Sequence, residues 1–435
     1  MAEENLAAKA HAKILNAWAM YDWANSAFAT VVLTALLPVY YQSVAGAGLR
    51  PGLATAYWGY TNSAALLVAA LLGPLLGALA DLRGTKKRYL AGFAALGISG
   101  TGLLVFAGQG QWLLASLFFI LGNVGFATAN VFYDALLPHI ATRDELDRVS
   151  ARGFALGYLG GGLLLAACAA ALYFAAPERV PAVMRLCFLA VAAWWAVFAI
   201  PLLRHVPEAP ATATAAERAR PPLRVAFNRM GGTFNEVRKY RQVLLFLVAL
   251  WLYTDAIGTI TKMAVIVGAE IGIGQTALVG TILAIQFVAA PFSLGFGRLA
   301  EKVGPKRAIL LGLVVYAGVT VGALFMRTSL HFFLLGMAIA TAQGGTQAMT
   351  RSLGARLVPK QKTGEFFGFV SVLLKFAGIL GPALFGIVGQ LTGSGQAGFA
   401  LVLVYLLLGM GLLTKVNEGE AIQLAQAEEA RLAAQ

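Results

Sequence analysis

Asp22 and Asn25 interrupt an apolar run that reaches from Ile14 to Tyr41. Three other apolar runs are interrupted in the same way, by Asn130 and Asp134, by Asp255 and Lys262, and by Gln343, Gln347 and Arg351. Spacings of three, four and seven put each set on one face of a helix. An ionisable side chain at the centre of an apolar span costs about 3 kcal/mol by insertion scales, so it normally faces a cavity or a partner. These residue types can bind a polar solute, carry a proton or pair charges across a gate. Other chemistry lacks its residues. The four histidines, at 11, 139, 205 and 331, have no metal-ligand spacing. There is no Gly-x-x-x-x-Gly-Lys-[Ser/Thr] loop for a nucleotide. No His/carboxylate or Ser/His pair falls at a shared depth, so an enzyme is disfavoured and no cofactor or metal is expected.

The elements that must position these residues follow from composition. Of 435 residues, 59% are hydrophobic and 12% are charged, against about 25% charged in soluble domains. The apolar runs are about 20 residues long, enough to cross a hydrocarbon core of about 30 Å. Membrane barrels show alternating segments of about ten residues instead. The chain therefore reads as an all-α membrane protein with twelve transmembrane helices, roughly 15–44, 55–80, 89–108, 112–137, 153–176, 182–203, 243–268, 276–299, 308–326, 331–350, 365–391 and 397–414. The N-terminus carries no cleavable signal pattern. Cys168 and Cys187 both lie in apolar runs and read as small core residues.

The net charge of +13 suggests nucleic acid only weakly, because membrane-length runs separate the basic residues. The positive-inside rule accounts for it better. Of 33 Lys and Arg, four (Arg50, Arg179, Arg185 and Arg327) fall in outer loops if the N-terminus is inside. Lys262 and Lys375 lie within spans, and the remaining 27 lie on the inner side. Both termini are expected in the cytoplasm, across the inner membrane of a prokaryote. A Pro- and Ala-rich linker at 204–241 separates an N-terminal six-helix half, 1–203, from a C-terminal half, 242–414. Within the linker, "FNRMGGTFNEVRKYRQ" suggests a short helix on the inner membrane surface. The tail, 415–435, reads as a polar helix or a frayed end.

The halves contain a repeat. "GALADLRGTKK" at 77–87 and "GRLAEKVGPKR" at 297–307 align at an offset of 220, matching Gly77 with Gly297, Asp81 with Glu301, Gly84 with Gly304 and Lys86 with Lys306. Each links the second and third spans of its half. Such a repeat is a transporter signature, and the loop resembles that of the major facilitator superfamily. "YDWANSAFAT", "VFYDALLPHIATRDELDRVSARGFALGYLGGG" at 131–162, "WLYTDAIGTI" at 251–260 and "QGGTQAMTRSLGARLVPKQKTGEFFGF" at 343–369 resemble the vacuole effluxer, autophagy-related branch of that superfamily over essentially the whole chain. In span 7 that family tends to carry Asn-Asp where this chain has Thr254-Asp255. The resemblance implies a two-half transporter fold working by alternating access, and amino-acid export from the vacuole in fungal members. It also places spans 1, 4, 7 and 10 around a central cavity, and these are the spans that the polar residues occupy.

The expected substrate or ion pathway comprises Asp22, Asn25, Asn130, Asp134, Asp255, Gln343, Gln347 and Lys375. Asp22 is expected to face the cavity with Asn25, satisfied there by water or substrate. Asp255 and Lys375 are expected to pair, each twelve residues into its span. The expected gate comprises Gly77, Asp81, Gly84, Lys86, Gly297, Glu301, Gly304, Lys306 and Arg351, with Asp81 and Glu301 as matched latches and Arg351 at the end of span 10 as an anchor or gate pair. Asn62, Asn123, Gln286 and Gln390 read as helix–helix contacts. The partners are the lipid bilayer and a small polar solute, such as an amino acid, with proton coupling or uncoupled export both compatible; a monomer is expected. A lipid or lysolipid transporter on the same fold is the alternative.

Overall fold

Two glycines set the turns that shape each half. Gly84 (φ 62°) and Gly304 (φ 84°) occupy the left-handed region, which glycine enters without a Cβ clash. They end α2 (Leu53–Arg83) and α8 (Gln275–Val303) and send the chain straight into α3 (Lys86–Leu103) and α9 (Pro305–Ala323). The computed structural model describes residues 2–49, 53–214, 241–392 and 395–433, with isolated positions between 215 and 228. The expected surface helix at 226–242 lies largely outside the described residues.

Before the linker run α1 (Ala2–Ala27), α2, α3, α4 (Trp112–Ile140), α5 (Leu146–Tyr173) and α6 (Val180–His205). After it run α7 (Arg241–Glu270), α8, α9, α10 (Ser329–Arg356), α11 (Thr363–Thr392) and α12 (Gly398–Thr414), then a tail helix, α13 (Glu418–Ala433). No strand occurs among the described residues. Past Ala27, α1 continues as wider π-helical turns over Phe28–Leu36 and Tyr41–Ala45. Nine of the helices are long and apolar enough to cross a membrane among the described residues, and the α12–α13 pair, bent by 61°, would make ten. α10 is long but carries Gln343, Gln347 and Arg351, and α12 has 17 residues. Outward faces hold exposed Leu67, Leu71, Leu113 and Leu311, the surface expected against lipid chains.

Contacts gather both termini and the linker at one end of the bundle. His11 meets Glu145 at 3.0 Å, Arg143 meets Glu429 of the tail at 3.4 Å, and Thr212 of the linker donates to the Asp81 carbonyl. Glu208 accepts from the Lys87 and Arg88 amides at 2.7 and 3.2 Å, so the linker's first residues supply partners to the N-terminus of α3. The tail is a helix and not a frayed end. Glu429 also accepts from the Lys360 amide at 3.0 Å, tying the tail to the α10–α11 turn.

The halves meet along two seams. At the first, α2 lies on α11: a Cβ on Gly77 would stand 2.2 Å from the Gly364 carbonyl oxygen, and one on Gly368 would stand 2.6 Å from that of Gly73. Gly73 and Gly77 on one helix and Gly364 and Gly368 on the other are each four apart, so backbone meets backbone as in small-xxx-small helix pairs. At the second, α5 lies on α8, with Gly297 against Ala151. Gly77→Ala should therefore destabilise the joined halves by about 1–3 kcal/mol through overpacking. Gly92→Ala, with open space around its Cβ, should be neutral or slightly stabilising. Melting curves of the two variants check this, and equal melting temperatures would refute the seam.

Candidate functional site

Between the seams lies a cavity of about 510 Å³ lined by α1, α4, α5, α7, α8, α10 and α11. Asp22, Asn25, Asn130, Asp134, Gln343, Gln347 and Arg351 all line it, so seven sequence-selected residues from three helices converge. Thr254 lines it as well, next to Asp255, which does not appear in the wall. Gln286, read from sequence as a helix–helix contact, also faces this space. Gln390's side chain lies outside the described residues.

The floor of the cavity, toward the linker end, is built on Arg351. The tenth helix runs on to Arg356, so Arg351 sits inside it and is 7% exposed. Its Nη1 and Nη2 each donate to Asp22 Oδ2 at 3.1 Å, and Nη1 also to Asp134 Oδ1 at 3.3 Å. Nε donates to Ser150 Oγ and Nη2 to the Ser150 carbonyl, both at 2.9 Å. The guanidinium also stacks over Phe154 at 4.4 Å and Trp18 at 4.8 Å, an arrangement that suits its planar, weakly hydrated charge. Arg351 belongs to the C-terminal half and every one of these partners to the N-terminal half. The expectation that water or substrate satisfies Asp22 is corrected for one of its oxygens: the Tyr133 hydroxyl, donating at 2.9 Å, and Arg351 satisfy Oδ2. Sequence reasoning missed Tyr133, Ser150, Trp18 and Phe154, because helix rotation decides which neutral side chains surround a charge.

Above this floor the lining is amide- and hydroxyl-rich. Asn25 Nδ2 donates to Asn130 Oδ1 at 2.6 Å, the Tyr158 hydroxyl to Gln347 Oε1 at 2.9 Å, and Tyr253 and Thr350 share a hydrogen bond of 2.8 Å. Rings of Phe126, Phe154, Phe246, Phe366 and Phe367 fill the gaps between them.

Nearer the linker end, Asp81 and Lys86 are both fully buried and 2.6 Å apart. Lys86 Nζ donates to His139 Nε2 at 2.8 Å, which as the partner of an ammonium must be the acceptor. Asp81 Oδ2 accepts from the Glu365 amide at 2.9 Å, so a carboxylate of one half sits on the N-terminus of α11 in the other, where the helix dipole favours it. Gly84 lets the linker close in, since its Cβ would stand 2.5 Å from the Ala211 amide nitrogen. The matched position does not match in structure. Glu301 is exposed, and Lys306 holds the Thr414 and Val416 carbonyls at 3.0 and 2.7 Å, at the end of α12. At the second seam Asp147 takes the ionic part, paired with Arg356 at 2.8 Å and hydrogen-bonded to Ser352. Both residues sit in the long motifs quoted above, but spaced as span ends.

Lys375's side chain lies outside the described residues. Asp255 Oδ1 accepts from the Gly381 amide at 3.1 Å. Gly381 is six residues past Lys375, about 9 Å further along α11, so equal counting into the two spans does not bring Asp255 to the level of Lys375.

The two halves, the cavity between them and the charged closure define an integral multi-pass membrane transporter of the major facilitator superfamily. Residues 10–426 match the family model described as vacuole effluxer Atg22 like, and the chain belongs to that family. The MFS-type transporter YxiO of Bacillus subtilis (strain 168) is 40% identical over 418 residues, covering 94% of this chain and 96% of that one. Autophagy-related protein 22 of Eremothecium gossypii is 24% identical over 411 residues, covering 86% and 80%. Among solved structures, the proton:xylose symporter XylE superposes with a TM-score of 0.75 at 13% identity, covering 94% of this chain and 96% of that one. A bacterial homologue of the iron transporter ferroportin in its outward-facing state gives 0.63 at 15% identity, covering 94% and 99%. Transport, and not catalysis, is the activity of this class.

Proposed function

We propose that the protein exports a small polar solute, an amino acid or similar zwitterion, by alternating access, with the linker end in the cytoplasm. The observation that carries this reading is the cavity between the halves. Its floor is a guanidinium shared by two carboxylates of the opposite half. A solute whose ammonium competes for Asp22 or Asp134, or whose carboxylate competes for Arg351, would loosen the contact that holds the halves together, and so couple binding to opening. The amide pairs above it can hold further polar groups. The family description as an effluxer, and the resemblance to fungal members implied to export amino acids, support the direction and substrate class.

The test is reconstitution of the full chain into vesicles, with labelled amino acids, sugars and lysolipids compared with and without a pH gradient. Amino-acid movement abolished in Arg351→Met supports the reading. Movement of lysolipids alone would replace it with a lipid transporter. Orientation has its own check. In intact cells a membrane-impermeant thiol reagent should label Gly48→Cys and leave Ala213→Cys unlabelled; labelling of Ala213→Cys would refute a cytoplasmic linker.

A further inference from the structure

Behind the cavity wall, α7, α11 and α12 enclose a second polar site. Asp255 and Thr259 are four residues apart on α7 and share a face. They are 8% and 1% exposed, and Tyr405 of α12 is 8% exposed. The Tyr405 hydroxyl lies beside that of Thr259 and within electrostatic reach of Asp255. Beyond one another, neither Thr259 Oγ1 nor the Tyr405 hydroxyl has a hydrogen-bond partner among the described residues. The site is built around a missing side chain: a Cβ on Gly381 would stand 2.7 Å from both Asp255 carboxylate oxygens and 2.1 Å from Thr259 Oγ1. Glycine is what allows α11 to offer its amide to Asp255 there.

The buried carboxylate identifies the ligand: Asp255 is in no ion pair among the described residues, and an unpaired buried charge is costly. An ionised carboxylate only accepts hydrogen bonds, and the Gly381 amide serves Asp255 Oδ1. Among the described residues Asp255 Oδ2 has no such amide, and the two hydroxyls beside it can accept as well as donate. A carboxylic acid fits this arrangement: an O–H on Asp255 Oδ2 needs an acceptor, Thr259 Oγ1 is one turn away, and Thr259 can then donate to Tyr405. We propose that Asp255, Thr259 and Tyr405 form a proton-binding site in the C-terminal half. A proton from water adds to Asp255 Oδ2, the carboxylate becomes a neutral acid, and no other bond is made or broken. The described titratable groups that face Asp255 are Tyr405 and, seven residues on along its own helix, Lys262. Thr254 and Ile257, on either side of Asp255, line the cavity, so a change at this α7–α11 contact is felt there. The site's purpose, coupling solute movement to a proton, rests on the transport reading; its existence does not.

Infrared difference spectra of the purified full chain, titrated with pH and without any solute, test the proposal. The expected result is a protonated-carboxyl C=O band that titrates and is lost in Asp255→Asn. In Thr259→Val the band should persist at higher frequency, because the acid has lost its acceptor. In Lys262→Gln its midpoint should move by about half a pH unit, as expected for removal of a charge roughly 10 Å away. A band that persists unchanged in folded Asp255→Asn overturns the proposal. So does the absence of any titrating carboxyl band in sodium-free, potassium-containing buffer. Should Asp255→Asn not fold, Asp255→Glu decides: a displaced midpoint supports the site, an undisplaced one overturns it. A titrating band with no solute movement in vesicles would defeat the transport reading and leave the site standing.

Discussion

Arg351→Met should open the linker end of the molecule. The substitution keeps the length and apolar stem of the side chain while leaving buried Asp22 and half-buried Asp134 without their cation. Removing one partner of a buried pair costs about 3–5 kcal/mol, and the closed state alone bears that cost, because only there do the halves share the charge. The ratio of closed to open molecules should fall by about a hundredfold or more. A cysteine at cavity residue Thr254, in a background lacking Cys168 and Cys187, reports it: labelling from the linker side in inside-out vesicles should rise steeply. Adding Asp22→Asn and Asp134→Asn to Arg351→Met should restore part of the closure, since the uncompensated charges are gone. Unchanged labelling in the single variant would mean that the contact does not hold the halves together.

Asp81→Asn should act in the same direction, and Glu301→Gln should do almost nothing. Asp81 neutralises a fully buried Lys86 and sits on the N-terminus of α11. Its loss leaves the buried ammonium without an anionic partner among the described residues, again at about 3–5 kcal/mol. Glu301 is exposed, and exposed substitutions away from special features stay within about 0.5 kcal/mol. Melting temperature and linker-side labelling measured on both variants separate the two positions. Equal effects would restore the matched-latch expectation that the sequence repeat suggests and the geometry contradicts.

The contrast between those two carboxylates shows what the sequence makes legible. Span lengths, the inner bias of Lys and Arg, and the register of the repeat are one-dimensional quantities, and they pointed to the all-helical, two-half fold. The repeat could not show that the partner of Asp81, an amide of α11, has no equivalent for Glu301 among the described residues, because partners come from elsewhere in the chain. The polar residues of spans 1, 4 and 10 line one cavity, in keeping with the rule that charge in an apolar run must find company. Who keeps that company depends on helix ends and rotation. A tenth span closed at 350 left Arg351 at a margin, whereas the helix continues to Arg356 and buries it. Asp255 lies fourteen residues from the start of α7 and Gly381 eighteen from the start of α11, a stagger that counting from flush ends could not see. Gly73, Gly364 and Gly368 drew no reading from the sequence, because which glycines oppose which depends on how α2 and α11 pack.

That glycine seam bears on temperature. What separates when α2 leaves α11 at Gly73, Gly77, Gly364 and Gly368 is backbone facing backbone, beside the Asp81 carboxylate. Hydrating apolar surface raises heat capacity and hydrating polar surface lowers it, so parting this seam should carry little heat-capacity change, unlike unfolding. The balance between closed and open molecules should then follow a nearly straight van't Hoff line. On cooling, the gate should keep a steady enthalpy where an apolar seam of equal area would lose its entropic driving force.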